Sequence, residues 1–351
     1  MLTITLADLR YRYRQFLIAV VGAGVVMGMA VLLSGLAHGF STEIQKTVGA
    51  VGADRWLLSE KANGRLTAVA TFDERLVGAL AAAPGVTDAN GMIFLPQEVV
   101  GSGSKQITAN VMGVGSASRV LGLPRAVHGH GLSGRHQAVV DARTHIRVGS
   151  SMQLGSTAFT VVGTVKDRTL GAGIPLVYIP LVDAQDALFG GQHIVTAIVI
   201  KGVPQLTPQG LDSLTPAQLR KSTLKTLASG VTSIRNSRTL MWVVAAIIVA
   251  ALIYVSALQR VRDFAVLKAL GSSSPALFAS LCLQAVIVTL LAAGFGLVMS
   301  TVATGIFPQP VSVPASAYIT LPIVAIGVGV IASLVALRRA TGADPVAAFG
   351  G

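Results

Sequence analysis

The chain has 351 residues, of which 52% are hydrophobic and only 12% charged, and its mean hydropathy is +0.69. Soluble globular chains carry about 25% charged residues, so an ordinary soluble domain is excluded and a membrane-class chain is indicated. The net charge of +12 does not imply nucleic acid, because two Trp, five Tyr and no stacking motif give no base-reading surface.

The apolar residues are gathered into four runs free of Asp, Glu, Lys and Arg: Phe16–Ala37, Leu240–Leu258, Ala276–Ala303 and Tyr318–Leu337. About 20 such residues cross the hydrocarbon core. The expected fold is therefore membrane α-helical, with four transmembrane helices at 16–38, 239–258, 276–303 and 318–337. A large α+β extracytoplasmic domain, 39–238, is inserted between the first two. The first run has 22 residues, more than the roughly 7–15 of a signal-peptide apolar region. No A-x-A site follows it, so it reads as an uncleaved span.

In chain order, residues 1–15 carry Leu2, Leu6, Leu9 and Tyr13 at helical spacing among basic residues, which predicts a short interfacial helix. Gly24 and Gly28 form a G-x-x-x-G pair, a pattern that lets helices approach closely. Ser41–Gly49 extends the first helix past the bilayer. A strand is expected at Arg55–Ser59 and a helix at Phe72–Ala83, closed by Pro84-Gly85. Strands Thr87–Val100 and Gln106–Val114 form a hairpin across Gly101-Ser-Gly-Ser-Lys105. Further strands follow at Ala138–Asp141, Ser151–Leu154 and Ala158–Lys166, with a short helix at Ala142–Val148. Leu176–Ile179, Leu181–Leu188 and Ile194–Lys201 read as strand, helix and strand. Thr215 caps a helix with Pro216 at its first position, running through Ser229 into the second span.

Basic residues fix the orientation. Arg10, Arg12 and Arg14 precede the first span; Arg260, Arg262 and Lys268 lie in the 259–275 loop; Arg338 and Arg339 open the 338–351 tail. The 304–317 loop has no charge and is expected outside. Both termini and 259–275 are then cytoplasmic. The other nineteen basic residues face twelve carboxylates in 39–238. Lys221, Lys225, Arg235 and Arg238 read either as a contact with anionic lipid headgroups or as a solvated basic surface. Cys282 is the sole cysteine, so the external domain has no disulfide.

Catalytic chemistry is not legible. No G-x-x-x-x-G-K-[ST] occurs, so no P-loop is expected and no ATP-binding cofactor site in this chain. His128, His130, His136 and His145 cluster, but with no Cys and only Asp141 beside them they read as locally hydrogen-bonded and not as metal ligands. No catalytic triad or Gly-x-Ser-x-Gly is present, and the chain is not expected to be an enzyme. Within the spans the strongest polar group is Gln284, expected to bond across helices at ~0.6 kcal/mol. Missing ionisable groups at depth argue against an ion channel or proton-coupled carrier.

Between the second and third spans lies Gln259-Arg-Val-Arg-Asp-Phe-Ala-Val-Leu-Lys-Ala-Leu-Gly271. As a helix it interleaves charges with Val261, Phe264, Leu267 and Leu270 on every side, which suits contact with lipid and also with a protein partner. Gly271 fits its C′ end, and Ser274 with Pro275 fits the start of the next helix.

These parts resemble the FtsX-like permease family, the membrane subunits of ABC transporters of the macrolide-exporter and lipoprotein-release type. One span, a large external domain and then three spans is the family's topology. Arg260 to Gly271 looks like its pattern of basic residues, an acidic residue and a Leu-Lys-Ala-Leu-Gly ending, although the family more often has Glu where Asp263 stands. Gly131-Leu-Ser, Ala138-Val-Val-Asp141, Val148–Leu154, Phe159–Gly163 and Val177-Tyr-Ile-Pro-Leu181 look like its external core; Arg338-Arg-Ala-Thr and Asp344-Pro-Val346 look like its C-terminal ending.

The resemblance implies a half-transporter in a bacterial inner membrane, paired with a second copy or a sister permease through span one. A separate cytoplasmic ABC ATPase would bind the ATP and Mg. Its coupling interface would be Arg260, Arg262, Asp263, Phe264, Leu267, Lys268, Leu270 and Gly271, with motion relayed to the external domain (mechanotransmission). An external adaptor or partner protein is a further expectation. Two readings stay open: export or extraction of an amphiphile, and ATP-driven signalling to an external partner such as a cell-wall hydrolase. A membrane-anchored binding protein without an ATPase is a weaker third.

Overall fold

The computed structural model describes residues 13–101, 103, 106–115, 125–259, 274–304 and 311–340. Residues 1–12 of the expected interfacial helix, the coupling segment after Gln259, the Ser274 and Pro275 cap side chains, and the tail after Ala340 lie outside the described residues. The chain divides into two units, Met1–His38 with Gly230–Gly351, and Gly39–Ser229.

The first unit is helical. It contains the beginning of α1 (Tyr13–Val51), most of α5 (Ala228–Leu258), α6 (Ser274–Ala303) and α7 (Ala317–Ala340). Three stretches, Phe16–Val51, Ala228–Ser256 and Ala279–Ala303, are long and apolar enough to cross a membrane, and Ala317–Ile331 is a shorter apolar stretch among the described residues. Its interior is rich in alanine, with Ala23 of α1, Ala245 of α5, Ala285, Ala292 and Ala293 of α6 and Ala325 of α7, packed with the larger Met27, Val31, Val249, Ile253 and Leu321. Larger apolar side chains, Leu17, Ile18, Leu240, Ile247, Val298 and Val302 among them, face outward. A water-soluble bundle would carry charged and polar side chains at such outward positions. Where lipid is as apolar as Leu, helices associate through close backbone approach, which small residues permit.

The second unit is a mixed sheet with helices on both faces. Its strands are β1 (Arg55–Ser59), β2 (Phe72–Asp73), β3 (Val86–Val100), β4 (Gln106–Val114), β5 (His128–Gly129), β6 (Gln137–Asp141), β7 (Ser151–Leu154), β8 (Thr157–Val165), β9 (Leu176–Pro180), β10 (Ile194–Val195), β11 (Ala197–Gly202) and β12 (Leu211–Leu214). They order as β12-β1-β11-β3-β4-β9-β6-β8-β5, with β7 bridging β3 and β8, and β10 pairing β2 separately. Most pairings are antiparallel; β4 with β9 and β6 with β8 are parallel.

Successive side chains of one strand point to opposite faces, and both faces here are covered. Trp56, Leu58, Met92, Phe94, Val199 and Tyr178 join one core with Ile44, Val48 and Val51 of α1 and with Leu219 of α4 (Pro216–Thr226). Leu57, Ile93, Leu95, Ile198, Ile200 and Ile179 join the other, with Leu80 of α2 (Arg75–Ala81) and Leu181 and Ala184 of α3 (Leu181–Phe189). Burial on both sides explains why these strands read as nearly continuous apolar runs.

The hairpin, the extension of the first helix and the Thr215 cap are present. Val100 pairs with Gln106, α1 continues to Val51, and Thr215 and Gln218 form a reciprocal capping box with Pro216 in the first turn. Four expectations are corrected. Phe72–Ala83 is not all helix: Phe72 and Asp73 pair with Val195 and Ile194, and the Asp73 carboxylate accepts the Arg75 N–H at 2.8 Å where the helix begins. Ile194–Lys201 is two strands, because the Thr196 hydroxyl accepts the Phe94 N–H at 2.8 Å and parts the two pairings. Ala142–Val148 gives only a 3-10 turn, Ala142–Thr144, ended by His145 at φ 57°. The helix after Thr215 breaks at Leu227, whose N–H bonds back to the Leu224 carbonyl. Strands β5 and β12 escape the sequence pattern; β5 is two residues long, and β12 carries Asp212 and Ser213.

Candidate functional site

Of the residues singled out by sequence, Arg260, Arg262, Asp263, Phe264, Leu267, Lys268, Leu270 and Gly271 lie outside the described residues. The three packing residues, Gly24, Gly28 and Gln284, are placed. A Cβ on Gly24 would stand 2.8 Å from both the Ala292 carbonyl oxygen and Phe295 Cδ1; one on Gly28 would stand 2.9 Å from the Gly296 oxygen. Conversely, a Cβ on Gly296 would stand 2.7 Å from the Gly24 oxygen and 2.8 Å from the Gly28 nitrogen. Three glycines thus interlock α1 and α6 backbone to backbone. The Gly24/Gly28 pair is used within the chain, and Gly296 is its missed counterpart; Gly294-Phe-Gly296 in the third apolar run was its only sequence signal.

Gln284 is 1% exposed, on α6. Two residues earlier on the same helix, Cys282 Sγ lies 2.9 Å from Ser333 Oγ of α7. Arg238 donates from Nη1 to Ser34 Oγ at 3.1 Å. Lys221, Lys225 and Arg235 are exposed.

The second unit holds a polar clasp that sequence reading missed. Glu43 and Thr47 sit one turn apart on α1, a polar pair in a segment whose Ile44, Val48 and Val51 are core. Glu43 is 5% exposed; its carboxylate accepts the Ala172 N–H at 3.1 Å and the Gly173 N–H at 2.9 Å. Gly171, Ala172 and Gly173 all have positive φ, 83°, 66° and 88°. In this turn the successive Ala172 and Gly173 N–H groups both face the carboxylate, an anion-holding arrangement of successive backbone donors. Thr47 donates to the Thr169 carbonyl at 2.9 Å. The same loop is held from the sheet by Asn110 Nδ2, which donates to the Leu170 carbonyl at 2.7 Å, and by the Arg168 N–H, which donates to Asp141 at 2.7 Å. Burial pushes the Asp141 carboxyl above its ordinary value, opposed by its bonds from the Arg143 and Arg168 N–H groups.

The four histidines do not converge. His128 is in β5. His130 Nδ1 bonds the Gly131 carbonyl at 2.8 Å, the His136 ring lies against Phe159, and His145 ends a 3-10 turn. Among the described residues, no three His, Cys, Asp or Glu side chains are arranged to hold a metal ion. Arg135 bridges Asp183 and Asp186 of α3 and fixes the 133–137 turn to that helix.

Residues 16–212 match the family described as MacB-like periplasmic core domain, and residues 239–345 match FtsX-like permease C-terminal. The chain belongs to the FtsX-like family of ABC transporter permeases. Two relatives in Mycobacterium tuberculosis strain H37Rv, both described as uncharacterized ABC transporter permeases, are 34% identical to it across the whole of both chains. The periplasmic region of MacB from Actinobacillus actinomycetemcomitans aligns at 15% identity with a TM-score of 0.37, covering 51% of this chain and 96% of that one. With its apolar helices, the permease is a membrane protein.

Proposed function

We propose that this permease is the membrane half of a two-protein machine. A separate cytoplasmic ABC ATPase, carrying the ATP and Mg, seats on the segment around Phe264, and its cycle drives the external domain to export or extract an amphiphile. In this reading four helices span the bacterial cytoplasmic membrane, both termini are inside, and two permeases, identical or sister chains, work as a pair. The observation that carries it is α1. One uninterrupted helix, Tyr13–Val51, supplies Gly24 and Gly28 to the bundle seam and Glu43 and Thr47 to the clasp of the external core. The missing P-loop supports an ATPase in another chain. The lack of carboxylates and basic residues inside the apolar runs favours a mechanical relay over a hydrophilic channel.

The test is purification of the complex from a strain co-expressing the candidate ATPase. Phe264→Ala and Leu267→Glu should each reduce ATPase recovery and permease-dependent ATP hydrolysis. Unchanged recovery and hydrolysis in both variants would refute this docking segment.

A further inference from the structure

We infer that the loop joining β1 to β2 is a binding site for a phosphate-type oxyanion. Residues between Ser59 and Thr71 line an open cleft of about 490 Å³, within the roughly 300–1,000 Å³ usual for small-ligand clefts. Its polar lining is Ser59, Lys61, Arg65, Thr67 and Thr71, with no carboxylate among the lining residues. Two cations and three hydroxyls are all donors to a tetrahedral oxyanion, and the guanidinium fork suits phosphate in particular.

The cations are held in place by the way the loop folds. Ala62 and Leu66, four residues apart, are both 1% exposed and anchored in the core under the sheet. Lys61 and Arg65, the residues just before them, are thereby turned outward. Asn63 and Gly64, at φ 49° and 68°, reverse the chain between them. Gly64 sits so close to α4 that a Cβ there would stand 2.8 Å from Ser222 Oγ, so the turn is braced against a helix. Arg65 Nε donates to the Ala62 carbonyl at 3.3 Å, which fixes the stem and leaves the terminal nitrogens for a ligand. Ser59 lines the cavity although only 8% exposed, while Val69 on the lining is 75% exposed. Cationic and hydroxyl-bearing residues beside an exposed apolar side chain in one cleft suit an anionic headgroup carrying a hydrocarbon tail. As a contact with transported substrate the site rests on the export reading above; as a binding site it rests on the cavity alone.

The test uses the full-length permease in nanodiscs of neutral phosphatidylcholine, titrated calorimetrically with dihexanoyl phosphatidic acid, dihexanoyl phosphatidylcholine and inorganic phosphate. Phosphatidic acid should bind, and the double variant Lys61→Gln/Arg65→Gln should bind it at least about tenfold more weakly, since two charge-assisted contacts are lost. Both side chains are exposed, so an unchanged thermal midpoint is expected and separates this loss from unfolding. Binding of inorganic phosphate with the same Lys61 and Arg65 dependence supports the site and identifies free phosphate as a ligand. Equal binding of phosphatidic acid by the double variant, or phosphatidylcholine binding as tightly as phosphatidic acid, overturns the inference. Phosphatidic acid binding that leaves ATP hydrolysis by the co-purified permease–ATPase complex unchanged counts against the export reading and leaves the site standing.

Discussion

Removing the Glu43 carboxylate should release the 167–175 loop from α1 while leaving the sheet intact. In Glu43→Ala the Ala172 and Gly173 N–H groups lose their acceptor, now at 3.1 and 2.9 Å. An orphaned donor costs about 1–3 kcal/mol. Residues 171–174 are half-buried, so water can reach part of the loop and the low end applies, about 1 kcal/mol each and about 2 kcal/mol together. At 1.4 kcal/mol per factor of ten this is roughly thirtyfold in the opening equilibrium. Glu43→Gln keeps one carbonyl acceptor but turns its NH2 toward the second N–H group, so about half that free energy, roughly fivefold, is lost. Hydrogen exchange of the Ala172 and Gly173 amides in the full chain reads both changes directly. Amides of Ile198 and Val199, in the core of the sheet, serve as the reference and should not move. Exchange of Ala172 and Gly173 unchanged in both variants would show that the carboxylate does not hold the loop.

Two further outcomes follow from the packing and the electrostatics. Gly28→Leu should separate α1 from α6, because even a Cβ would lie 2.9 Å from the Gly296 oxygen; overpacking of this kind costs about 1–3 kcal/mol. Gly22→Ala, where nothing lies within 4 Å, should be neutral, and thermal unfolding in detergent compares the two. Asp141 has its carboxyl pKa raised by burial above the ordinary 3.8, so the fold retains that proton to higher pH than the unfolded chain does. Stability should therefore fall as pH rises through the window above 3.8. Asp141→Asn should flatten this slope in unfolding midpoints measured across it, even though it also weakens the bonds from Arg143 and Arg168; an unaltered slope would refute the assignment.

Length and polarity made the long elements legible. Apolar runs with no charge announced the helices, and strands buried on both faces announced themselves as Val, Ile and Leu clusters bounded by Gly. What stayed hidden depends on partners distant in sequence. Thr196 splits one apolar run because its hydroxyl meets the Phe94 N–H, a contact 102 residues away. Gly24 and Gly28 were legible as a packing motif, but nothing in their own helix says that the partner is Gly296 and not a second chain. Lys61 and Arg65 read as two more surface charges until Ala62 and Leu66 are seen pinned beneath them. The coupling segment is the opposite case, legible as a motif and lying outside the described residues.

Glu43 and Thr47 show most clearly why such a site escapes the sequence. A carboxylate on an exposed helix extension would be unremarkable, and a Gly-Ala-Gly triplet alone would read as a loose turn. Each becomes a constraint on the other only when the left-handed triplet aims two N–H groups at one carboxylate. Ala172 at φ 66° is unfavourable for a residue with a Cβ. Such a conformation persists only where its surroundings over-determine it, and here the Glu43 carboxylate, Thr47 and Asn110 each hold part of the loop. A shift of α1 along its axis by a fraction of a helical turn would break the Glu43 and Thr47 bonds together, since both lie on the same face one turn apart. With both bonds gone the loop would keep only its ties to the sheet, the Asn110 bond to the Leu170 carbonyl and the Arg168 N–H bond to Asp141.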